Sequence, residues 1–92
     1  MRADNDYQYI LSLSETGSMS AAARRLNVNH TTVARRIHSF EERFNVRLFE
    51  RVAKGYRLTD VGRSVLADIQ MLNEHQLNLE RKLVGQDQQL AV

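Results

Sequence analysis

Apolar residues recur along this chain with two different periods, and the change of period marks its organisation. Tyr7, Ile10 and Leu11, with Ser14, follow helical spacing; Asp4, Asn5 or Asp6 offers a side-chain oxygen to cap the start, and Gly17 a left-handed stop. A first helix is therefore predicted over residues 4–16. Ser18 or Ser20 opens a second, short helix whose inner face is Ala21, Ala22, Ala23 and Leu26, small enough for another helix to approach closely. Asn27, Val28 and Asn29 break the pattern, since Asn tolerates turn conformations. A third helix is predicted over 30–44 from Val33, Ile37, Phe40 and Phe44, with Asn45 as its left-handed cap.

Beyond Val46 the period shortens. VRLFERV, Val46 to Val52, reads as a strand, and Tyr56 to Thr59 as a second, with Ala53, Lys54 and Gly55 forming the turn. Strands this short need a neighbour, and helix three is the expected one. Thr59 then caps a long helix over 60–84, roughly 37 Å at 1.5 Å per residue. Val65, Ile69, Leu72, Leu79 and Leu83 are spaced 4, 3, 7 and 4, with Gln76 in the missing position. That is a heptad seam, and one polar residue within it is a device for fixing register. Gly85 is expected to end the helix and leave 85–92 as a flexible tail.

The expected architecture is mainly α: a winged helix-turn-helix over 1–59, with three helices and a two-stranded wing, followed by a linker and dimerisation helix over 60–84. Ninety-two residues suit one small domain. The N-terminus lacks a signal-peptide core, no apolar run approaches about 18 residues, and cysteine is absent. A soluble, cytoplasmic chain without a membrane partner is the expectation.

Charge gives this outline a direction. Although the formal net charge is +2, residues 24 to 57 hold nine arginines and lysines against three glutamates, for +6, and each flank carries −2. A basic middle between acidic ends is the footprint of a surface that binds a polyanion.

The third helix shows where such binding would occur. With Val33 as origin and 100° per residue, its apolar stripe stays within about 40°, whereas Thr31, His38 and Arg35 fall near 160°, 140° and 200°. In a helix-turn-helix this helix enters the DNA major groove. Arg35 can bond guanine O6 and N7, Thr31 and Thr32 can meet a base edge or a thymine methyl, and His38 can donate or accept. Arg36, near 300°, flanks the core and suits a phosphate or an internal ion pair. Lys54 at the turn would reach a backbone or minor groove, with Arg51 and Arg57 adding phosphate contacts over a wing spanning 47–58.

Other chemistries find less support. His30 and His38 lie eight residues apart with no third ligand nearby, so no metal is assigned. Ser18 and Ser20 read as caps, Glu41 and Glu42 as ordinary helix charges, and nothing converges as acid, base and nucleophile. Neither an enzyme nor a cofactor is expected. The alternative from another class is a helical protein-interaction module using the long helix, with an incidental basic surface.

The run GSMSAAARRLNVNHTTVARRIHSFEERFNVRLFERVAKGYRLTDVG resembles the DNA-binding domain of LysR-type transcriptional regulators, over roughly residues 6–84. The matching positions are Gly17, Ser18, Ala22, Ala23, Leu26, Arg35, Ile37 and Glu41, then Leu48 to Arg51, Leu58, Thr59 and Gly62. The resemblance implies double-stranded DNA as partner, a dimer through the linker helix, and a pair of dimers bending an imperfect palindrome in the full-length protein. It puts base or backbone contacts at His30, Thr31, Ala34, Arg35 and Lys54. Where the family usually has Gln, Pro and Ser, this chain has His30, Thr31 and Ala34, so its DNA site should differ; Phe40, Phe44 and Asn45 replace the usual Leu, Leu and Gly. A two-lobed effector-binding domain normally follows, so the chain reads as a fragment lacking it, and no co-inducer is assigned.

Overall fold

The computed structural model describes residues 5–90, with side chains for 5–86. Its elements are α1 (Asp6–Thr16), α2 (Met19–Leu26), α3 (His30–Phe44), β1 (Phe49–Val52), β2 (Gly55–Leu58) and α4 (Asp60–Leu90). The predicted winged helix-turn-helix and long last helix are both present. Asp4, one of the proposed caps, and tail residues 91 and 92 lie outside the described residues.

The helix ends follow local chemistry. Asn5 accepts the Gln8 N–H and caps α1, Ser18 accepts the Ala21 N–H and caps α2, and the Thr59 hydroxyl accepts the Gly62 N–H at the start of α4. Gly17, Asn27 and Asn45 close α1, α2 and α3 with φ of 69°, 58° and 53°.

Helix α1 is the centre of the domain. Tyr9 to Leu13 are buried consecutively, so the single apolar stripe expected from Tyr7, Ile10, Leu11 and Ser14 understates its burial. The reason is that α2, α3, α4 and β2 surround it, and a surrounded helix has little polar face left. Ala22 and Ala23 let α2 lie close, while Val33 and Ile37 bring in α3 and Ile69 brings in α4. Leu48 and Phe49 complete this core.

The hairpin departs from expectation in three ways. Its first strand begins at Phe49 rather than Val46, because the Val46 N–H bonds the Glu41 carbonyl and the Leu48 N–H bonds the Glu41 carboxylate. Its second strand starts at Gly55, which pairs with Val52 across the loop Ala53–Lys54. Its main neighbours are α1 and α4, not α3. The Tyr56 N–H reaches the Gly17 carbonyl at 2.9 Å, and a Cβ on Gly55 would stand 2.1 Å from that same oxygen. Only glycine suits this approach, and its φ of 115° is likewise unfavourable for other residues.

Helix α4 continues through Gly85 to Leu90, so the expected break does not occur. One glycine weakens a helix by about 1 kcal/mol but stops it only where the chain turns left-handed, and no proline follows.

Candidate nucleic-acid interface

The outer side of α3 is open, as its angular pattern requires. His30, Thr31, Arg35 and His38 are exposed, with Thr32 and Ala34 half-buried beside them. Asn29 makes no side-chain cap, so the first turn of α3 keeps N–H groups for an outside acceptor. His38 leans along the helix, its Nε2 lying 3.4 Å from Glu42. Among the described residues, nothing engages the Arg35 guanidinium.

The other basic candidates separate by what they touch. Arg36 Nε donates to Asp6 Oδ1 at 2.9 Å, and its guanidinium sits 4.8 Å from the centre of the Tyr9 ring. It clamps α3 to α1, which leaves it poorly placed as a DNA contact. Arg57 donates to Glu50 at 2.9 Å across the hairpin, so its charge is largely balanced there. Arg51 bonds the Tyr56 hydroxyl at 3.3 Å and lies over that ring. Lys54 is exposed in the loop and has no partner among the described residues.

Glu41 is the site residue that helical spacing missed. Far from being an ordinary surface charge, its Oε2 accepts the backbone N–H groups of Leu48 at 2.7 Å and Phe49 at 3.2 Å. One carboxylate thus ties the wing's first strand to the recognition helix. Its recurrence in the resembled pattern, seven residues before Leu48, was the available signal.

The proposed seam on α4 divides between two tasks. Ile69 is buried in the domain core and Val65 packs partly against it, so Ile69 is not available to a second chain. Gln76 accepts from Asn5 Nδ2 at 3.1 Å and donates to Glu80 at 3.2 Å, which fixes α4 against the start of α1 within one chain. Leu72, Leu79 and Leu83 remain exposed.

This arrangement agrees with comparisons to known proteins. Residues 5–63 match the bacterial regulatory helix-turn-helix protein, lysR family. The chain belongs to that family. It is 40% identical over 67 residues to the HTH-type transcriptional regulator TfdS of Cupriavidus pinatubonensis, covering 73% of this chain and 23% of TfdS. It is 37% identical over 65 residues to ClcR of Pseudomonas putida, covering 71% of this chain and 22% of ClcR. The chain therefore spans about a quarter of the length of these relatives. A crystal structure of the CbnR DNA-binding domain in complex with DNA superposes with a TM-score of 0.77 at 29% identity, covering 87% of this chain and 92% of that one. Among the described residues no helix is long and apolar enough to cross a membrane.

Proposed function

We propose that this chain is the sequence-specific, double-stranded DNA-binding module of a cytoplasmic transcriptional regulator, working as a homodimer held through α4. The observation that carries this reading is the exposed α3 face, where Arg35 stands between Thr31 and His38 with no partner among the described residues. Helix α3 lies in the major groove, and His30, Thr31, Thr32, Ala34, Arg35 and His38 face the base edges. Lys54 and Arg51 follow the backbone or the minor groove from the wing. In a longer protein, two such dimers side by side would occupy and bend an imperfect palindrome.

Similarity to a domain crystallised with DNA supports the docking mode. The basic middle of the chain supports the polyanion partner. The test is fluorescence anisotropy on duplexes selected from a randomised pool, titrated at several salt concentrations. A selected site should bind at least about a thousandfold more tightly than random duplex, with affinity falling steeply as salt rises. Equal affinity for all duplexes would defeat the sequence-specific reading. No DNA-dependent shift at low salt, measured by sedimentation, would favour the interaction module instead.

A further inference from the structure

The outer side of α3 carries two imidazoles. At 100° per residue from Val33, His30 and His38 stand near 60° and 140° and Arg35 near 200°, all outside the core stripe. Both histidines are exposed. Between pH 6 and 8, imidazole, thiol and α-amino groups are the ones that ordinarily change charge. This chain has three histidines and no cysteine, so two of its three imidazoles lie on the face proposed to meet DNA. The third, His75, is fifteen residues into α4, about 22 Å from the start of that helix.

The charges around the pair decide what protonation does. His38 Nε2 lies 3.4 Å from Glu42 Oε2 on one side, and Arg35 stands a turn away on the other. Arg47, from the segment leading into β1, lines an open cleft of about 380 Å³ with His38, Glu41 and Glu42. The Glu41 carboxylate is already engaged by the Leu48 and Phe49 N–H groups. On the helices packed against α3, Glu15 pairs with Arg25 and Asp6 with Arg36, while Arg24 is exposed near the end of α2. Among the described residues no carboxylate pairs with His30. Arg35 and Glu42 cancel, so the outer face of α3 has no net charge with neutral imidazoles and +2 with both protonated.

We propose that the proton is a second ligand of this face: His30 and His38 take up charge as α3 enters the groove, and DNA is held more tightly as pH falls. This rests on the DNA-binding reading above and adds the charge state in which the face works. A polyanion beside an imidazole favours its protonated form, and by reciprocity the protonated form favours the polyanion. The gain is complete once the free imidazoles are charged, and it is lost as pH rises through the value they hold on DNA. Protonation also changes what each ring offers. Both nitrogens then donate, to a phosphate oxygen or to guanine N7 and O6, whereas the neutral ring keeps one acceptor.

Anisotropy titrations of a selected duplex at pH 6, 7 and 8 test this, with circular dichroism confirming the same helical signal at each pH. A tenfold rise in proton affinity at one imidazole makes binding about fivefold tighter at pH 6 than at pH 8, and two such imidazoles make it roughly 25-fold tighter. Calorimetry at pH 7 in buffers of unlike ionisation enthalpy should show net proton uptake on binding. His30→Gln and His38→Gln should each remove part of the pH ratio, and together bring it within about twofold of unity, whereas His75→Gln should leave it unchanged. Glu42→Gln separates a DNA contact from a His–Glu pair that merely supports the helix: it should tighten binding at every pH and keep the ratio. Loss of the ratio in Glu42→Gln, no proton uptake, or a ratio that survives the double histidine substitution would each overturn the proposal and leave DNA recognition intact. Failure to bind any duplex at any pH would defeat the DNA-binding reading as well.

Discussion

Arg36 and Asp6 meet at 2.9 Å, and this ion pair joins the recognition helix to the helix at the centre of the domain. Their side chains are 32% and 27% exposed, and the Tyr9 ring lies against the same guanidinium. Neighbouring arginines on α3 are thereby divided, one turned inward to hold the helix and one exposed on the face proposed to meet DNA.

Removing the pair should therefore alter stability more than selectivity. Asp6→Ala should lower unfolding stability by about 1 kcal/mol, and Arg36→Ala by somewhat more, because it also loses the ring contact. Urea denaturation measures both. The affinity ratio between a selected site and random duplex should stay within about twofold of the parent for Asp6→Ala.

Arg35→Ala should do the reverse. A bidentate base contact is worth about 1–3 kcal/mol of discrimination, so the ratio of site to non-site affinity should drop by roughly 5- to 150-fold, with stability almost unchanged. Lys54→Ala should weaken binding to both duplexes alike and reduce the salt slope by about one. Competition anisotropy at two salt concentrations distinguishes the patterns, and an unaltered ratio in Arg35→Ala would remove Arg35 from the base-reading set.

Much of this division was legible before the fold was known. The period of Val33, Ile37, Phe40 and Phe44 gave the axis of α3, and Asn27 and Asn45 marked the turns that bound the neighbouring helices. Arg36 was separable from Arg35 by angle alone. The role of Glu41 was hidden, because a glutamate accepting two backbone N–H groups from the start of the wing has the same local pattern as one facing water. The packing of Ile69 and Gln76 within the chain was hidden for a related reason. A helix with two neighbours shows one broad apolar stripe, and spacing does not say which neighbour takes which residue.

The Glu41 tether makes its own prediction. Two hydrogen bonds to a charged acceptor together contribute about 2–3 kcal/mol, so Glu41→Ala should destabilise the domain by about that amount. Glu41→Gln keeps one acceptor oxygen and should recover part of the loss. Hydrogen exchange should show the Leu48 and Phe49 amides losing protection in Glu41→Ala, while the amides of α1 lose protection only by the global change in stability. Protection at Leu48 that fell no more than in α1 would show the tether to be incidental.

The two glycines of α4 should respond oppositely to alanine. Alanine is favoured over glycine in a helix by about 1 kcal/mol, so substitution would ordinarily stabilise. At Gly85 an added Cβ meets nothing within 4 Å, and Gly85→Ala should stabilise α4 by up to about that amount. At Gly62 the same atom would stand 2.4 Å from the Leu48 carbonyl oxygen and 2.8 Å from Leu58 Cδ2. Backbone cannot yield as a flexible side chain does, so α4 must move away from the start of the wing. Gly62→Ala should cost about 1–3 kcal/mol despite its better helix preference. Thermal unfolding of the two variants beside the parent tests the pair: a stabilised Gly62→Ala would mean that α4 does not press on the Leu48 backbone as closely as this contact requires.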